Sequence, residues 1–229
     1  MKWDRLEKLI GTNALALLKT KHILIVGLGG VGGMVADALA RTALGNISLV
    51  DFDTVSLTNI NRQVAALKDT INLKKTDVIK KRILDINEDC NVFIYDLFLT
   101  EENIDTCFIN KIDYIIDAND TIKTKQALLN YARDNKIPII SCMGTGNRLD
   151  PSKLVITDLM DTSYDPIARI MRKWVKETNF KQKITVLVSR EQPIKGEGRT
   201  PSSCSFVPNA AGLLLASYVV RTLINEKRK

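Results

Sequence analysis

Apolar residues along the chain follow two alternating patterns. Five short apolar runs occur in the first 150 residues, and most are separated by longer stretches whose apolar residues lie three or four positions apart. Continuous runs are typical of strands that are buried on both faces, whereas the helical spacing is typical of amphipathic helices. This alternation predicts an α/β fold with a doubly wound, mostly parallel sheet and helices on both faces.

The predicted elements of the first part of the chain are short. The strands cover 23–26, 46–51, 91–97, 113–117 and 137–141. The helices cover 31–44, 74–84 and 121–135. One or two further amphipathic helices are predicted over 4–19, with an apolar stripe formed by Leu6, Leu9, Ile10, Leu17 and Leu18.

Two later strands, 153–157 and 183–189, extend the predicted sheet beyond residue 150. Between them a helix is predicted to begin at Asp165, a good N-cap, followed by Pro166 at the first helical position. Its buried stripe is formed by Ile167, Ile170, Met171, Trp174 and Val175. Residues 190–205, rich in Pro, Gly and Ser, predict a mobile loop. Residues 209–225, apolar almost all round, predict a helix buried in the core or in a dimer interface.

A glycine-rich turn follows the first predicted strand. Gly27, Gly29 and Gly32 have the spacing G-x-G-x-x-G, with Gly30 beside them. Glycines permit a tight turn, let the backbone approach a phosphate, and let the next helix pack close to the strand. The free N–H groups at the start of that helix favour an anion. The turn therefore predicts a nucleotide phosphate site in a Rossmann-like fold, and it leaves NAD, FAD and ATP open.

Acidic residues end the second and fourth predicted strands. Asp51 and Asp53 follow the glycine turn by about 20 residues, where a carboxylate accepts hydrogen bonds from ribose hydroxyls. Asp120 follows the fourth strand and is a candidate Mg²⁺ ligand, because Mg²⁺ takes one or two carboxylates together with phosphate oxygens. The alternative interpretation of Asp51 and Asp53 is that they simply lie at a solvated strand end.

Asn59, Arg62 and Lys75 form a polar cluster after the second strand. An arginine grips phosphate oxygens in a fork and a lysine acts as a point charge, so Arg62 and Lys75 could stabilise a leaving pyrophosphate. Either residue alone is more often a surface residue. Because an NAD-binding unit does not need this cluster, its presence favours a triphosphate.

The net charge of +7 comes entirely from the last third of the chain. Residues 1–150 contain 19 basic and 19 acidic side chains, whereas residues 151–229 contain 14 and 7. This excess favours a polyanionic partner such as nucleic acid, although solubility alone explains many basic surfaces. The candidate contacts to RNA phosphates are Arg169, Arg172, Lys173 and Lys176 on one predicted helix, and Lys195 and Arg199 in the loop that follows.

The remaining composition predicts a cytoplasmic protein. The chain has no run of 18 apolar residues and begins with charged residues, so neither a membrane span nor a signal peptide is expected. Because no C-x-x-C pair is present, the sequence predicts neither a zinc knuckle nor a redox dithiol. Separate, reduced thiols are expected at Cys90, Cys107, Cys142 and Cys204.

These motifs together resemble those of the ThiF/MoeB-type adenylating enzymes, which are related to ubiquitin activators. In chain order they are the glycine turn, Asp51-Phe-Asp53, Asn59-Ile-Asn-Arg62-Gln, Lys75 and Asp120. Three longer segments, 141–151, 165–169 and 205–212, are similar to one branch, the tRNA threonylcarbamoyladenosine dehydratases. The resemblance covers nearly the whole chain. It implies one ATP-binding adenylation domain over 1–229, with a helical arm (1–20), a nucleotide-binding core (21–150) and a basic substrate-binding and dimerisation part (151–229).

The resemblance also implies a reaction and a set of site residues. In that family ATP adenylates the carboxylate of the threonylcarbamoyl group on the adenosine just 3′ of the anticodon, and the activated acyl group then cyclises. The enzyme is a homodimer, and a sulfur-relay protein is a further candidate partner. The implied contacts are phosphates over Gly29 and Gly30, ribose on Asp51, phosphates on Asn59, Arg62 and Lys75, Mg²⁺ near Asp120, and Arg5 reaching the triphosphate of the neighbouring subunit.

Three alternative functions remain open. An activator of a ubiquitin-like sulfur-carrier protein shares the adenylation half, but commonly adds two C-x-x-C pairs that this chain lacks. An NAD(P)-binding oxidoreductase accounts for the glycine turn and Asp51, but not for the Asn-Arg-Lys cluster. A non-catalytic RNA-binding module leaves Arg62, Lys75 and Asp120 unexplained. The 190–205 loop looks shorter than in relatives, and Cys204 is not expected to be a nucleophile.

Overall fold

The structure, a computed structural model, describes residues 2–195 and 201–225. Its described residues form one seven-stranded sheet in the order β3-β2-β1-β4-β5-β7-β6. All neighbouring strands are parallel except β6 and β7, which are antiparallel. The strands are β1 His22–Val26, β2 Asn46–Val50, β3 Asn91–Tyr95, β4 Tyr114–Asp117, β5 Ile139–Cys142, β6 Leu154–Asp158 and β7 Thr185–Ser189. The predicted mostly parallel sheet, extended by later strands, is confirmed.

Seven α-helices lie in the described parts of the chain. They are α1 Asp4–Ile10, α2 Thr12–Leu18, α3 Gly30–Ala40, α4 Lys75–Ile86, α5 Ile122–Asp134, α6 Pro166–Thr178 and α7 Phe206–Asn225. The predicted helical arm over 4–19 is therefore two helices. Leu18 is fully buried, but Leu9 is 81% exposed, so placing Leu9 in the apolar stripe of the arm was wrong.

The strand order reverses direction at the centre of the sheet. The chain moves outward from β1 through β2 to β3, and then returns to add β4 on the other side of β1. In this register Ile25 of β1 lies between Leu49 of β2 and Ile116 of β4. All three side chains are fully buried, which explains the continuous apolar runs. The connections that follow β1 and β4 leave on opposite sides of the sheet at this point, and open α/β sheets bind their ligands outside the carboxyl ends of such strands.

Helix α7 packs closely against α3. A methyl group on Gly212 would lie only 2.5 Å from the carbonyl oxygen of Val31, so the two backbones approach too closely for a larger residue. The predicted burial of α7 in the core is confirmed for one face, which presents Val207, Ala211, Leu215 and Val219. Within the described residues, 206–224 forms the one helix that length and composition would allow to cross a membrane. Core helices share that composition.

Several element ends differ from their predicted positions. Helix α3 ends at Ala40 rather than at residue 44, because Ala43 adopts a left-handed backbone with φ 57°. Strand β3 ends at Tyr95 rather than at residue 97, and β5 begins after Pro138 instead of before it. Helix α7 begins at Phe206, three residues earlier than predicted.

Helix α6 begins where its capping residues predict. The Asp165 side chain accepts a hydrogen bond from the backbone N–H of Ala168 at 2.8 Å. Met171 of the predicted apolar stripe is fully buried, but Ile170 is 45% exposed. Arg172 does not belong to the solvent side as predicted: its guanidinium is partly buried and donates to the carbonyl oxygen of Thr162 at 2.9 Å. The exposed basic face of α6 consists of Arg169, Lys173 and Lys176.

Candidate active site

A cavity of about 330 Å³ lies at the carboxyl ends of β1, β2 and β4. This volume is within the range of small-molecule sites. The structure brings nine of the predicted cofactor-binding residues into its lining: Gly27, Gly29, Gly30, Asp51, Asp53, Asn59, Arg62, Lys75 and Asp120. Gly32 supports the cavity from the first turn of α3 and is not part of the lining.

The glycine turn brings three backbone segments together. Gly27 has φ +88°, and a methyl group there would lie 2.8 Å from backbone atoms of Asn119. A methyl group on Gly32 would lie 1.7 Å from the carbonyl oxygen of Gly27. Neither position tolerates a side chain, so the turn keeps the first N–H groups of α3 directed at the cavity. The anion site predicted from the glycine spacing therefore has the expected backbone.

Asp51 holds the turn from the end of β2. One carboxylate oxygen accepts a hydrogen bond from the N–H of Leu28 at 2.6 Å, and the other accepts one from the N–H of Asp53 at 2.8 Å. Burial raises the pKa of Asp51, although the nearby Lys75 ammonium and these two N–H groups act in the opposite direction. Asp51 thus organises the loop as well as lining the cavity, a role that its position alone did not predict.

Lys75 is buried at the first position of α4. Its side chain reaches the carboxylate of Asp53 at 2.7 Å, and its backbone N–H donates to the carbonyl oxygen of Asp53 at 3.1 Å. Lys75 as a whole is only 5% exposed, so its ammonium is fixed at the cavity wall. Because Asp53 is about half exposed, phosphate oxygens could compete with its carboxylate for this ammonium.

Arg62 and Asn59 lie on a tight turn that covers one side of the cavity. The side-chain oxygen of Asn59 accepts from the N–H of Ser56 at 3.1 Å, which stabilises the short 3₁₀ helix Leu57–Asn59. The guanidinium of Arg62 donates to the carbonyl oxygen of Thr58 and to the side chain of Asn61, each at 2.9 Å. Arg62 is therefore held near the cavity by two bonds on one nitrogen, which leaves its other N–H groups for a ligand.

A buried ion pair below the cavity was not predicted. The ammonium of Lys125 in α5 lies 3.0 Å from Asp117 at the end of β4, and both side chains are fully buried. It also donates to the carbonyl oxygen of Cys142 at 2.7 Å, and Ser141 donates to the same carboxylate. Asn119 donates to Asp117 as well. This network anchors the loop that carries Asp120. The sequence feature that could have indicated this pair is Lys125 itself, a lysine among apolar positions of a helix.

Asp120 lies at the exposed side of this loop, where it lines the cavity. No hydrogen bond or ion pair within the described residues engages its carboxylate. The described residues also contain no cluster of three or more His, Cys, Asp or Glu that could hold a metal by themselves. This suits an ion that takes one carboxylate and completes its shell with phosphate oxygens and water, as Mg²⁺ does.

Further lining residues also lay outside the sequence prediction. Gln63 lines the cavity, and its side-chain oxygen is buried without a hydrogen-bond partner. Phe52 and Phe98 form an edge-to-face pair at the wall, with centroids 5.1 Å apart. Thr145, Ser203 and Pro208 line the far side and come from segments distant in sequence. Only a fold could bring them to the nucleotide loop.

The segment around Ser202 closes this far side. Ser202 and Asn147 exchange hydrogen bonds of 2.7 and 2.6 Å, and Asn61 donates to the carbonyl oxygen of Ser203 at 2.8 Å. Ser202 and Ser203 are therefore held against the cavity, and the mobility of the 190–205 loop stays a prediction. Arg199 lies outside the described residues, and Lys195 is exposed beside them.

The remaining predicted residues lie away from the cavity. Arg5 is exposed on α1 and is not among the described residues that line the cavity of its own chain. Three cysteines are buried free thiols, and burial raises the pKa of Cys90 and Cys142 to about 12 and that of Cys107 to about 11. Cys204 is half-buried beside the carbonyl oxygen of Arg148.

Comparison with known proteins agrees with this geometry. The sequence matches the ThiF family over residues 4–228. It is 39% identical over 242 residues to the tRNA threonylcarbamoyladenosine dehydratase of Bacillus subtilis (strain 168), covering 98% of this chain and 95% of that one. It is 43% identical over 169 residues to the dehydratase of Escherichia coli (strain K12), covering 74% of this chain and 63% of that one.

A solved structure is similar to the fold throughout. The crystal structure of the E. coli tRNA N6-threonylcarbamoyladenosine dehydratase in complex with ATP has a TM-score of 0.93 and 35% sequence identity. The similarity covers 99% of this chain and 95% of the E. coli chain. The predicted fold and the resemblance that the motifs carried are both confirmed.

Proposed function

Because the chain belongs to the ThiF family, we propose that it is an ATP-dependent tRNA threonylcarbamoyladenosine dehydratase, the activity for which its relatives are named. The observation that carries this function is the cavity itself. Its lining combines a glycine turn at a helix start, a buried lysine, an arginine and an exposed carboxylate. A triphosphate needs all four, whereas a dinucleotide does not need the last three.

The cavity residues fit the nucleotide in two further ways. The side-chain oxygen of Gln63 has no hydrogen-bond partner, so it is a candidate acceptor for a ligand N–H or O–H group. The edge-to-face pair of Phe52 and Phe98 offers apolar surface to a purine. Asp51, which already fixes the turn, stands where ribose hydroxyls would donate to its carboxylate.

In the proposed reaction the threonyl carboxylate attacks the α-phosphate, pyrophosphate leaves, and an acyl-adenylate forms. A heteroatom of the carbamoyl group then attacks the acyl carbon, which releases AMP and a proton and closes the ring. The oxygen lost from the substrate leaves in AMP, so the net change is the loss of one water. Arg62 and Lys75 neutralise the charge that develops on the departing pyrophosphate.

We assign the metal site to Asp120, whose carboxylate is free of protein partners within the described residues. Bound Mg²⁺ would supply charge neutralisation on the phosphates. The Asp117–Lys125 pair positions the loop from below, so Asp120 does not depend on its own contacts for its location.

We further propose that two copies of the chain assemble and share their active sites. Arg5 is exposed on α1 and does not line the cavity of its own chain, as expected for an arginine that acts on the partner's triphosphate. Helix α7 exposes Phe206, Leu213 and Leu214 on the face opposite the core, which is a candidate contact surface. We place the homodimer in the cytoplasm, where its tRNA substrate is found.

The basic face of α6 is the proposed track for tRNA phosphates. Arg169, Lys173 and Lys176 lie at positions that share one side of the helix, and all three are exposed. Among the described residues, Lys173 forms one ion pair, an exposed contact of 3.6 Å with Glu177 that costs little to break. Because Arg172 is bonded to Thr162, we assign it to fixing the start of α6 and not to RNA contact.

ATP–pyrophosphate exchange tests the function against its alternatives. Exchange should require tRNA that carries threonylcarbamoyladenosine, and unmodified tRNA and a ubiquitin-like sulfur carrier should not support it. Exchange with the sulfur carrier alone would instead favour an activator of such carriers, with a sulfur-relay protein as partner. NAD(P)-dependent hydride transfer without exchange would favour the oxidoreductase.

A further inference from the structure

Three apolar side chains stand in solvent beside the far wall of the cavity. Leu149 is 56% exposed, Tyr164 is 55% exposed and Ile194 is 50% exposed. We call these three residues the rim cluster. They belong to three different segments, so their proximity comes from the fold and not from one apolar stretch of sequence.

One buried arginine holds the rim cluster together. The guanidinium of Arg148, a residue only 3% exposed, donates to the carbonyl oxygen of Tyr164 at 3.3 Å and to that of Gly144 at 2.6 Å. Its third nitrogen donates to the carbonyl oxygen of Glu191 at 3.2 Å. The next residue along the chain from Gly144, Thr145, lines the cavity. Tyr164 therefore lies one arginine side chain away from a segment of the cavity wall.

The other two members are fixed in the same way. The N–H of Ile194 donates to the carbonyl oxygen of Asn147 at 2.8 Å. The N–H of Leu149 donates to the carboxylate of Glu191 at 3.1 Å. The backbone beneath the cluster is thus tied down, while its side chains remain without packing partners sufficient to bury them. Such a surface favours a ligand that brings its own flat apolar face.

Tyr164 has an unfavourable backbone conformation for its side chain. Its φ is 57°, in the left-handed region that a bulky aromatic residue rarely adopts. Packing of the Tyr164 side chain in the core does not compensate for this strain, because the side chain is more than half exposed. It persists because Arg148 binds the Tyr164 carbonyl and Asp165 caps α6 immediately afterwards. Strain that is retained in order to expose an aromatic ring suggests that the ring is used.

Three exposed basic residues lie along the chain near members of the rim cluster, and the acidic neighbour Asp150 uses its carboxylate to accept from Ser152. Arg169 lies in the second turn of α6, just after Tyr164, and Arg190 and Lys195 flank Ile194; all three are exposed. The Glu191 carboxylate among them is engaged by backbone N–H groups of Leu149 and Asp150. A flat ring and two aliphatic groups set among exposed cations fit unstacked bases joined by phosphates, the surface that single-stranded RNA presents.

We propose that the rim cluster, with Tyr164 as its aromatic member, is the stacking platform for anticodon-loop bases that flank the reacting adenosine. This inference rests on the proposed tRNA substrate and adds where the loop is read. Phosphates lie along Arg169 and Lys173, whereas the loop bases lie on Tyr164 and reach the cavity past Thr145. Stacking and ionic contacts therefore come from different residues and can be separated by experiment.

Tyr164→Gly separates the ring from the fold, because glycine suits φ 57° and relieves the strain. Affinity is measured by fluorescence anisotropy with an anticodon stem–loop RNA that carries threonylcarbamoyladenosine, over a range of salt concentrations. Tyr164→Gly should weaken binding about tenfold without lowering the melting temperature or changing the salt slope. Tyr164→Phe should bind as wild type does. In contrast, Arg169→Gln should lower the salt slope by about 0.7.

Ile109→Ala is the matched control, since Ile109 is 80% exposed and precedes the amino end of β4, whereas the cavity lies at the carboxyl end of that strand. It should bind the stem–loop like the wild type. A 2-aminopurine placed beside the reacting adenosine should be quenched by wild type and Tyr164→Phe but not by Tyr164→Gly. Equal affinity and equal quenching in Tyr164→Gly and wild type would overturn the platform. If wild type shows no exchange with the modified tRNA, the proposed function fails first, and that result is distinct.

Discussion

Asp120 and Lys75 face the same cavity from different environments, and this difference decides what their substitution reports. Lys75 is buried and paired with Asp53, so its removal disturbs the wall as well as the ligand. Asp120 is exposed and has no protein partner within the described residues, so its substitution reports on the ligand alone. Asp120 is therefore the cleaner test of the metal assignment.

Asp120→Asn should lower the ATP–pyrophosphate exchange rate at least a hundredfold while leaving the melting temperature unchanged. The reason is that the neutral amide is a weaker Mg²⁺ ligand than the carboxylate, whereas no fold contact is lost. The measurement is exchange as a function of Mg²⁺ concentration. Asp69→Asn, an exposed acid outside the cavity lining, serves as control and should behave as wild type. Wild-type exchange by Asp120→Asn at every Mg²⁺ concentration would remove the metal from this residue.

For single residues, the sequence predicts a role when that role depends on residues nearby in the chain. Gly27 and Asp51 could be identified because a glycine spacing and a strand end are local patterns. Lys125 and Arg148 could not, because partners such as the carbonyl oxygens of Cys142 and Glu191 come from other segments. Gln63 could not, because only the fold places it at the cavity with an unpaired oxygen. The sequence does not distinguish a buried lysine or arginine from a solvated one, and only the fold shows whether the side chain is buried.

Two charged contacts between secondary-structure elements can be tested by measuring stability. The first is the buried pair that joins α5 to the end of β4. The Lys125 ammonium lies within 3.2 Å of both carboxylate oxygens of Asp117, and neither residue is exposed. Removing one partner leaves the other as an uncompensated buried polar group.

Lys125→Met should therefore lower the free energy of unfolding by about 3–5 kcal/mol. Asp117→Asn in the Lys125→Met background should recover part of this loss, because it removes the unpaired charge, keeps one acceptor oxygen for Asn119, and gives an amide N–H that can donate to the Ser141 hydroxyl. Urea denaturation of the two single variants, the double variant and the wild type gives the coupling. If the two single effects simply add, the pair is not coupled and the network does not anchor the loop.

The second contact joins α3 to α4. The Asp37 carboxylate lies 2.8 Å from Arg41 and 2.6 Å from Arg82. Burial by itself raises the pKa of Asp37, but the hydrogen bonds and charges of the two arginines outweigh it, so the pKa lies below its usual value. A carboxyl group with a lower pKa in the folded state stabilises the fold above its unfolded pKa, about 3.9, and that contribution is lost as the pH falls further.

Asp37→Asn should accordingly lower the melting temperature at neutral pH, and its difference from wild type should shrink below about pH 4. Thermal unfolding followed by circular dichroism over a pH series gives this difference directly. Asp85→Asn breaks an exposed pair with Lys81 and should change the melting temperature little. A difference for Asp37→Asn that stays constant into acid would mean that the arginines do not lower the pKa of Asp37.

The order of strands and helices was predictable because each element repeats its own hydrophobic period. The ends of the elements were harder to predict. The turn after α3 contains Ala43 in a left-handed backbone conformation that the sequence does not indicate. The predicted solvent-facing orientation of Arg172 was also wrong. Helical spacing indicates the side of the helix on which a residue lies, but it does not show that the carbonyl oxygen of Thr162 lies close enough to bond its guanidinium. Tertiary contacts decide both cases.

For the whole molecule, shared active sites make a prediction about mixed subunits. Arg5→Ala and Arg62→Ala should each be inactive as homodimers. In an isologous heterodimer one of the two sites combines a wild-type Arg62 with the partner's wild-type Arg5, so equimolar mixing should restore about a quarter of the wild-type sites. Exchange is measured after denaturation and joint refolding. No recovery in a sample whose tagged subunits demonstrably exchange would contradict the sharing of sites.

The activity expected of this chain is the removal of one water from threonylcarbamoyladenosine in tRNA at the expense of ATP. The most direct measurement is mass spectrometry of nucleosides from threonylcarbamoyl-modified tRNA after incubation with the protein, ATP and Mg²⁺. We expect a product lighter by one water, formed with one AMP and one pyrophosphate per product and not formed by Asp120→Asn. Unchanged threonylcarbamoyladenosine after incubation with a folded, ATP-binding protein would contradict it.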